Sequence, residues 1–96
     1  MDVTPMIREI AEHMVDTNHR VDIIGAALAD AVEAENALLR EAFCPGVENA
    51  WAIAEDAEAW GAEVRRLHGQ FNDEFGNLCR LVEAFNRLTA FNLRTP

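Results

Sequence analysis

Two apolar heptad series, separated by one strong helix-breaking turn, constrain the fold of this chain more than any other feature. The turn reads Phe43-Cys44-Pro45-Gly46 and lies near the middle of 96 residues. Proline lacks an amide donor and glycine tolerates positive φ, so together they end a helix and allow the chain to reverse. Because segments with helical periodicity lie on both sides, the sequence predicts an all-α helical hairpin.

The first series follows alternating steps of three and four residues, and its phase never slips. Its members are Ile7, Ile10, Met14, Thr17, Val21, Ile24, Leu28, Ala31, Glu35, Leu38 and Ala42. Thr4-Pro5 is a favourable helix start, with a hydroxyl at the N-cap and proline at the first helical position. A helix over about residues 5–43 is therefore expected.

The second series resumes after the turn, again without a slip in phase. Its members are Ala50, Ile53, Ala57, Trp60, Val64, Leu67, Phe71, Glu74, Leu78, Leu81, Phe85 and Leu88. This pattern predicts a helix over about residues 47–92, a turn at 44–46 and one helical domain over 1–96. Trp60 is expected in the core, and Thr17, Glu35 and Glu74 are expected to form polar layers that fix the register.

A compact monomeric four-helix bundle is the alternative architecture. It requires breaks near Asn18, which lies in a run of poor helix formers, and near Gly69. Continuous helices are favoured because the heptad phase passes through both positions unchanged.

The apolar stripe of the second helix is wider than a two-helix seam requires, because Phe75 and Val82 lie beside the heptad line. The stripe comprises Phe71, Phe75, Leu78, Val82 and Phe85. Such width implies further helices to pack against. We expect self-association, most simply as a homodimer that forms a four-helix bundle, although a different partner protein would also serve.

All the net charge of the chain lies around the turn. Residues 22–63 contain ten acidic residues and one arginine, which equals the net charge of −9 for the whole chain. An acidic surface disfavours direct nucleic-acid binding, which needs Lys and Arg to neutralise phosphates. It favours a protein partner with a basic surface, the alternative being a solvated face that maintains solubility.

Trp51 is the candidate anchor for such a partner, because it falls one step off the seam among carboxylates. The acids near it are Glu48, Glu55, Asp56 and Glu58. Alternatively, Trp51 folds back over the turn onto Phe43 and Val47, or packs in the dimer.

No stretch of the chain has a catalytic or cofactor signature, so we expect a non-enzyme without a cofactor. The chain has no serine or tyrosine and no glycine-rich phosphate loop. The nearest approach to a carboxylate–histidine metal site is Asp16-Thr17-Asn18-His19, with Glu9, Glu12 and His13 nearby. Cys44 and Cys79 are expected to be reduced thiols.

The plan of two long helices joined by a central turn resembles the small Trp-x-Gly substrates of type VII secretion. Here Phe43-Cys44-Pro45-Gly46 stands in place of Trp-x-Gly, and there is no tyrosine for their export signal. The plan also resembles the plasmid regulator Rop, a dimer of helical hairpins that binds RNA through basic and polar residues.

The leading functional hypothesis is a non-catalytic interaction module, acting as an adaptor, assembly or chaperone-like subunit. Alternatives are an acidic inhibitor that blocks a basic nucleic-acid-binding surface, as in phage anti-defence, a type VII-like secreted hairpin, and a metal-binding bundle. Because no apolar run spans a bilayer and the start lacks signal-peptide features, no membrane association and a cytoplasmic location are expected.

Overall fold

The structure, a computed structural model, describes residues 2–94 as two long α-helices. Helix α1 spans Thr4–Ala42 and helix α2 spans Ala50–Arg94, and no β-strand occurs within the described range. The predicted all-α helical hairpin is confirmed. No helix between residues 2 and 94 is both long enough and apolar enough to cross a membrane.

Both helices are continuous through the positions where breaks were considered. Asn18 lies inside α1 and Gly69 lies inside α2. The four-helix alternative with breaks at these positions is therefore wrong. The unbroken heptad phase was the better guide, since seam packing supplies more helix stability than local propensity.

Helix α1 begins one residue before its predicted start, because Asp2 provides an acceptor outside the helix. The amide of Thr4 donates to Asp2 Oδ1 at 2.9 Å, and the amide of Ile7 donates to the carbonyl of Val3 at 3.0 Å. Val3 thus occupies the N-cap position that was assigned to Thr4. Amides in the first turn of a helix have no acceptor within the helix. The missing amide of Pro5 therefore costs little helix stability.

The connection is longer than the predicted turn at 44–46. It covers residues 43–49, and Gly46 has a φ of 83°, a conformation that glycine adopts at little cost. The carbonyl of Asn49 accepts the amide of Ile53 at 3.0 Å, which makes Asn49 the N-cap of α2. Since asparagine is a preferred N-cap residue, α2 begins at Ala50, three residues after the predicted start.

The described residues fall into two compact units. We call residues 2–22 with 72–94 the open unit, and Ile23–Phe71 the turn unit. The buried residues of the open unit are Val3, Thr17 and Val21. Those of the turn unit are Ala31, Ala57, Gly61 and Leu67. The core of the turn unit is thus built mainly from very small residues.

Seam positions are buried or half-buried in both helices, with Trp60 as the exception. Trp60 is 42% exposed, whereas its neighbour Gly61 is buried. A Cβ on Gly61 would lie 2.5 Å from Glu35 Oε2, so the Glu35 side chain lies directly against the bare backbone of α2. The prediction of a core Trp60 is therefore wrong, because α2 presents Gly61 to α1 at this level.

Candidate interaction surfaces

The acidic tip, which we define as Trp51 with Glu48, Glu55, Asp56 and Glu58, is exposed throughout. Trp51 is 80% exposed, and its indole Nε1 donates to Glu55 Oε1 at 3.0 Å. Trp51, Ala54, Glu55 and Glu58 line a shallow depression of about 150 Å³. Glu55 and Glu58 thus lie beside Trp51, and the three side chains offer an aromatic face bordered by negative charge.

The alternative in which Trp51 folds back onto the turn does not occur. Phe43 is 82% exposed, which is incompatible with an indole packed across its ring, and Val47 is only half-buried. Phe43 and Trp51 are thus both exposed to solvent. Exposed aromatic side chains among carboxylates suit a partner with Arg or Lys, which can pair with the acids and stack on the ring.

The five residues expected in self-association divide into two groups. Phe71, Leu78 and Phe85 are half-buried within the hairpin, whereas Phe75 is 49% exposed and Val82 is 37% exposed. In the turn unit, the Phe71 ring lies 3.4 Å from the position of a Cβ on Gly25, so it packs against the backbone of α1. Of these five residues, Phe75 and Val82 are the two that expose substantial apolar surface to a further helix.

Phe75 and Val82 lie on the same flank of α2. Each follows a seam residue by one position, and they are seven residues apart, so both side chains project to one side of the seam. Asn77 precedes a seam residue and projects to the opposite side, as does Phe91, which lies two heptads after Asn77. Phe91 is 51% exposed, close to the value for Phe75. The two flanks of α2 in the open unit can therefore be tested separately.

A polar layer in the open unit joins the two helices through a residue that the sequence reasoning missed. Arg20 donates from Nη2 to Thr17 Oγ1 at 3.0 Å and from Nε to Glu74 Oε2 at 3.3 Å. Thr17 is 2% exposed, so Arg20 provides a hydrogen-bond partner for a hydroxyl that is buried at the seam. The three-residue spacing of Thr17 and Arg20 on one helix was the available signal.

Two carboxylates have pKa values shifted by their local hydrogen bonds. Hydrogen bonds donated by Arg66 lower the pKa of Glu63. Hydrogen bonds from the side chain and the backbone amide of Thr4 lower the pKa of Asp2. Both are surface effects, one just before α1 and one within α2, and neither brings an acid and a base together in a cleft as general acid–base catalysis requires.

The residues considered for a metal site do not converge. Within residues 2–94 no group of three or more His, Cys, Asp or Glu side chains lies close enough to hold a metal ion. His13 Nε2 lies 3.9 Å from Glu9 Oε1 as an i,i+4 pair on the surface. Cys44 and Cys79 are free and exposed. This geometry gives the metal-binding hypothesis no support.

Comparison with known proteins identifies no family for this chain. No protein-family profile, curated protein or solved structure matches the chain. The function therefore has to be argued from the surfaces themselves.

Proposed function

We propose that this chain is a non-catalytic interaction module whose helical hairpin self-associates, with a second copy packing on the flank of α2 that carries Phe75 and Val82. The observation that supports it most is the area that a single copy leaves in contact with water. One copy has an accessible surface of 7022 Å². A folded monomer of this mass is expected to expose about 5,500 Å².

The excess of roughly 1,500 Å² is large enough to form an interface. A standard protein interface buries about 800 Å² on each partner. Within residues 2–94 no large side chain is fully buried. A second hairpin would supply the two helices that each apolar stripe lacks, giving the four-helix bundle in which such stripes are usually buried.

The side chains on the proposed surface also fit this role. Phe75 and Val82 are seven residues apart on one flank of α2, and both belong to the open unit. Both lie beside the seam rather than opposite it, where a third helix contacts a hairpin. A two-fold pair uses the same patch from both copies and is the commonest closed assembly. Adaptor, assembly or chaperone-like roles all follow from a module of this kind.

Sedimentation equilibrium of the full chain and of Phe75→Glu tests the proposal. We expect the wild-type chain to sediment at twice 10.7 kDa and Phe75→Glu to sediment at 10.7 kDa, because a charge in an apolar interface has no partner. Phe91→Glu is the matched control, since it changes the same residue type at similar exposure on the opposite flank, and it should remain dimeric.

Circular dichroism distinguishes loss of assembly from loss of folding. Val82→Glu, the substitution of a smaller side chain on the same flank, provides a second variant if Phe75→Glu does not fold. The proposal is wrong if the wild-type chain is a monomer at every concentration, or if Phe91→Glu dissociates the assembly as strongly as Phe75→Glu.

The second candidate function is inhibition of a protein with a basic surface by the acidic tip. The exposure of Trp51 beside Glu55 and Glu58 favours it, because an aromatic anchor bordered by acids matches a nucleic-acid-binding surface rich in Arg and Lys. Arg substitution of Glu55, Asp56 and Glu58 should abolish binding to such a target. Retained binding by that variant would exclude the tip as the docking site.

A further inference from the structure

The open unit contains a basic concavity that the proposed function does not use. It has a volume of about 350 Å³ and is lined by His13, Thr17, Arg20, Asn77, Arg80 and Leu81. None of these six residues is acidic, although the chain holds 17 acidic residues and 8 arginines. By contrast, the concavity beside the start of α1 has Asp2, Glu9 and Glu12 in its lining.

Arg20 is held in place on one side of this concavity. Its Nη2 donates to the buried Thr17 hydroxyl and its Nε donates to Glu74 Oε2, so it bonds to both helices. These contacts use two of the five N–H donors of the guanidinium group. Because the planar group is already oriented, a ligand that binds its remaining donors would lose little side-chain entropy in doing so.

Arg80 differs from other arginines of α2 in its hydrogen-bond acceptor. Arg66 donates to the carboxylate of Glu63, and Arg87 donates to the carboxylate of Glu83. Arg80 instead donates to the amide oxygen Asn77 Oδ1, a neutral group. The positive charge of Arg80 is therefore not compensated by its bonded partner, and it borders the same concavity as Arg20.

We propose that this concavity, with Arg20 and Arg80 as its principal ligands, binds a small oxyanion such as a phosphate or a carboxylate. Guanidinium groups recognise both through paired N–H donors. The amide of Asn77 and the imidazole of His13 add further polar groups around the anion, and Leu81 provides an apolar wall for a carbon substituent. The volume lies within the range of small-ligand sites.

The site is independent of the proposed self-association. Asn77 precedes a seam residue, whereas Phe75 and Val82 follow seam residues, so the concavity and the proposed dimer surface lie on opposite flanks of α2. Loss of dimerisation in Phe75→Glu should therefore leave anion binding intact. Failure of one proposal does not imply failure of the other.

NMR titration of the full chain with inorganic phosphate, at ionic strength held constant with chloride, tests the proposal. We expect saturable shifts confined to His13, Thr17, Arg20, Asn77 and Arg80. Arg80→Gln should weaken binding by at least about tenfold, as expected for the loss of a charge-assisted hydrogen bond. Arg87→Gln is the matched control, because Arg87 lies on the same helix and pairs with Glu83, and its affinity should equal that of the wild type.

A parallel titration with acetate and citrate separates the two oxyanion sources. Saturable shifts of the same residues with either phosphate or a carboxylate support the site, and the stronger of the two identifies the ligand. The proposal is overturned if neither anion gives saturable shifts in the millimolar range. It is also overturned if Arg87→Gln weakens binding as much as Arg80→Gln, since that indicates diffuse attraction to surface charge.

Discussion

The turn unit and the open unit follow the same heptad arithmetic but bury side chains of different size. In the turn unit Ala31, Ala57 and Gly61 are buried, and Trp60 is displaced to 42% exposure. The buried residues of the open unit, such as Thr17 and Val21, instead all have side chains larger than that of alanine. Heptad phase thus determines which residues face the other helix, whereas residue size determines how closely the helices approach and which side chains fit between them.

The two units also treat their polar seam residues differently. In the open unit Thr17 and Glu74 are linked through Arg20, which places a charge-assisted network across the helices. In the turn unit the carboxylate of Glu35 lies against Gly61, where the missing Cβ makes room for it. The polar layer of the open unit is therefore accommodated by a hydrogen-bond partner, Arg20. The polar layer of the turn unit is accommodated by the missing side chain of Gly61.

The largest expected effect comes from the one large side chain among the buried residues of the turn unit. Leu67 is 7% exposed, and the other buried residues of this unit are alanine and glycine. Leu67→Ala should lower the free energy of unfolding by about 2–4 kcal/mol, because the neighbouring helices cannot collapse further to fill the cavity. Chemical denaturation at one fixed protein concentration measures this. A loss below 1 kcal/mol would show that close backbone packing, rather than Leu67, stabilises the turn unit.

Overpacking the small residues of the turn unit should have the next largest effect. Ala57 is 2% exposed, so the added methylenes of Ala57→Leu have no space and should cost about 1–3 kcal/mol. Ala59→Leu is the control, since Ala59 is exposed on the same helix and leucine is nearly as good a helix former as alanine. Equal stability of the two variants would contradict a close helix approach at Ala57.

Glycine substitutions sharpen the role of Gly61. Nothing lies within 4 Å of a Cβ built on Gly69, so Gly69→Ala should stabilise the chain by about 1 kcal/mol through helix propensity. Gly61→Ala gains the same propensity but must displace Glu35 Oε2, and should stabilise less or destabilise. In a Glu35→Ala background, Gly61→Ala should regain the value of Gly69→Ala. If the double-mutant cycle shows no coupling energy between Glu35 and Gly61, the Glu35 side chain does not contact Gly61 in the folded protein.

The sequence predicted most of the fold and part of the surfaces. Continuity through Asn18 and Gly69 followed from the unbroken phase, and the exposure of Phe75 followed from its position beside the seam. The exposure of Trp60 could not be predicted. Heptad position gives the direction in which a side chain leaves its own helix, but it does not give the distance between the axes of the two helices. Arg20 was missed for a related reason: its link to Glu74 depends on the register of residues 54 positions apart.

The smallest expected effect is a pH-dependent loss of structure at the start of α1, in the open unit. The Glu63–Arg66 ion pair on the surface of the turn unit serves as the comparison. The pKa of Asp2 is lowered from its ordinary value of 3.8 by hydrogen bonds from Thr4. A lowered pKa in the folded state means that the stabilisation is present above 3.8 and is lost as the pH falls through the folded value. After correction for the intrinsic exchange rate, the protection of the first amides of α1 should therefore fall below about pH 4.

Asp2→Asn keeps an oxygen acceptor without the titration, so in this variant the protection of the same amides should show no such pH dependence. The pKa of Glu63 is also lowered, by Arg66, but this pair lies on the surface in the middle of α2, where neighbouring turns hold the helix. Amides around Glu63 should thus stay protected while those near Thr4 begin to exchange. Simultaneous loss of protection at both places would mean that acid unfolds the two units together rather than fraying the start of α1.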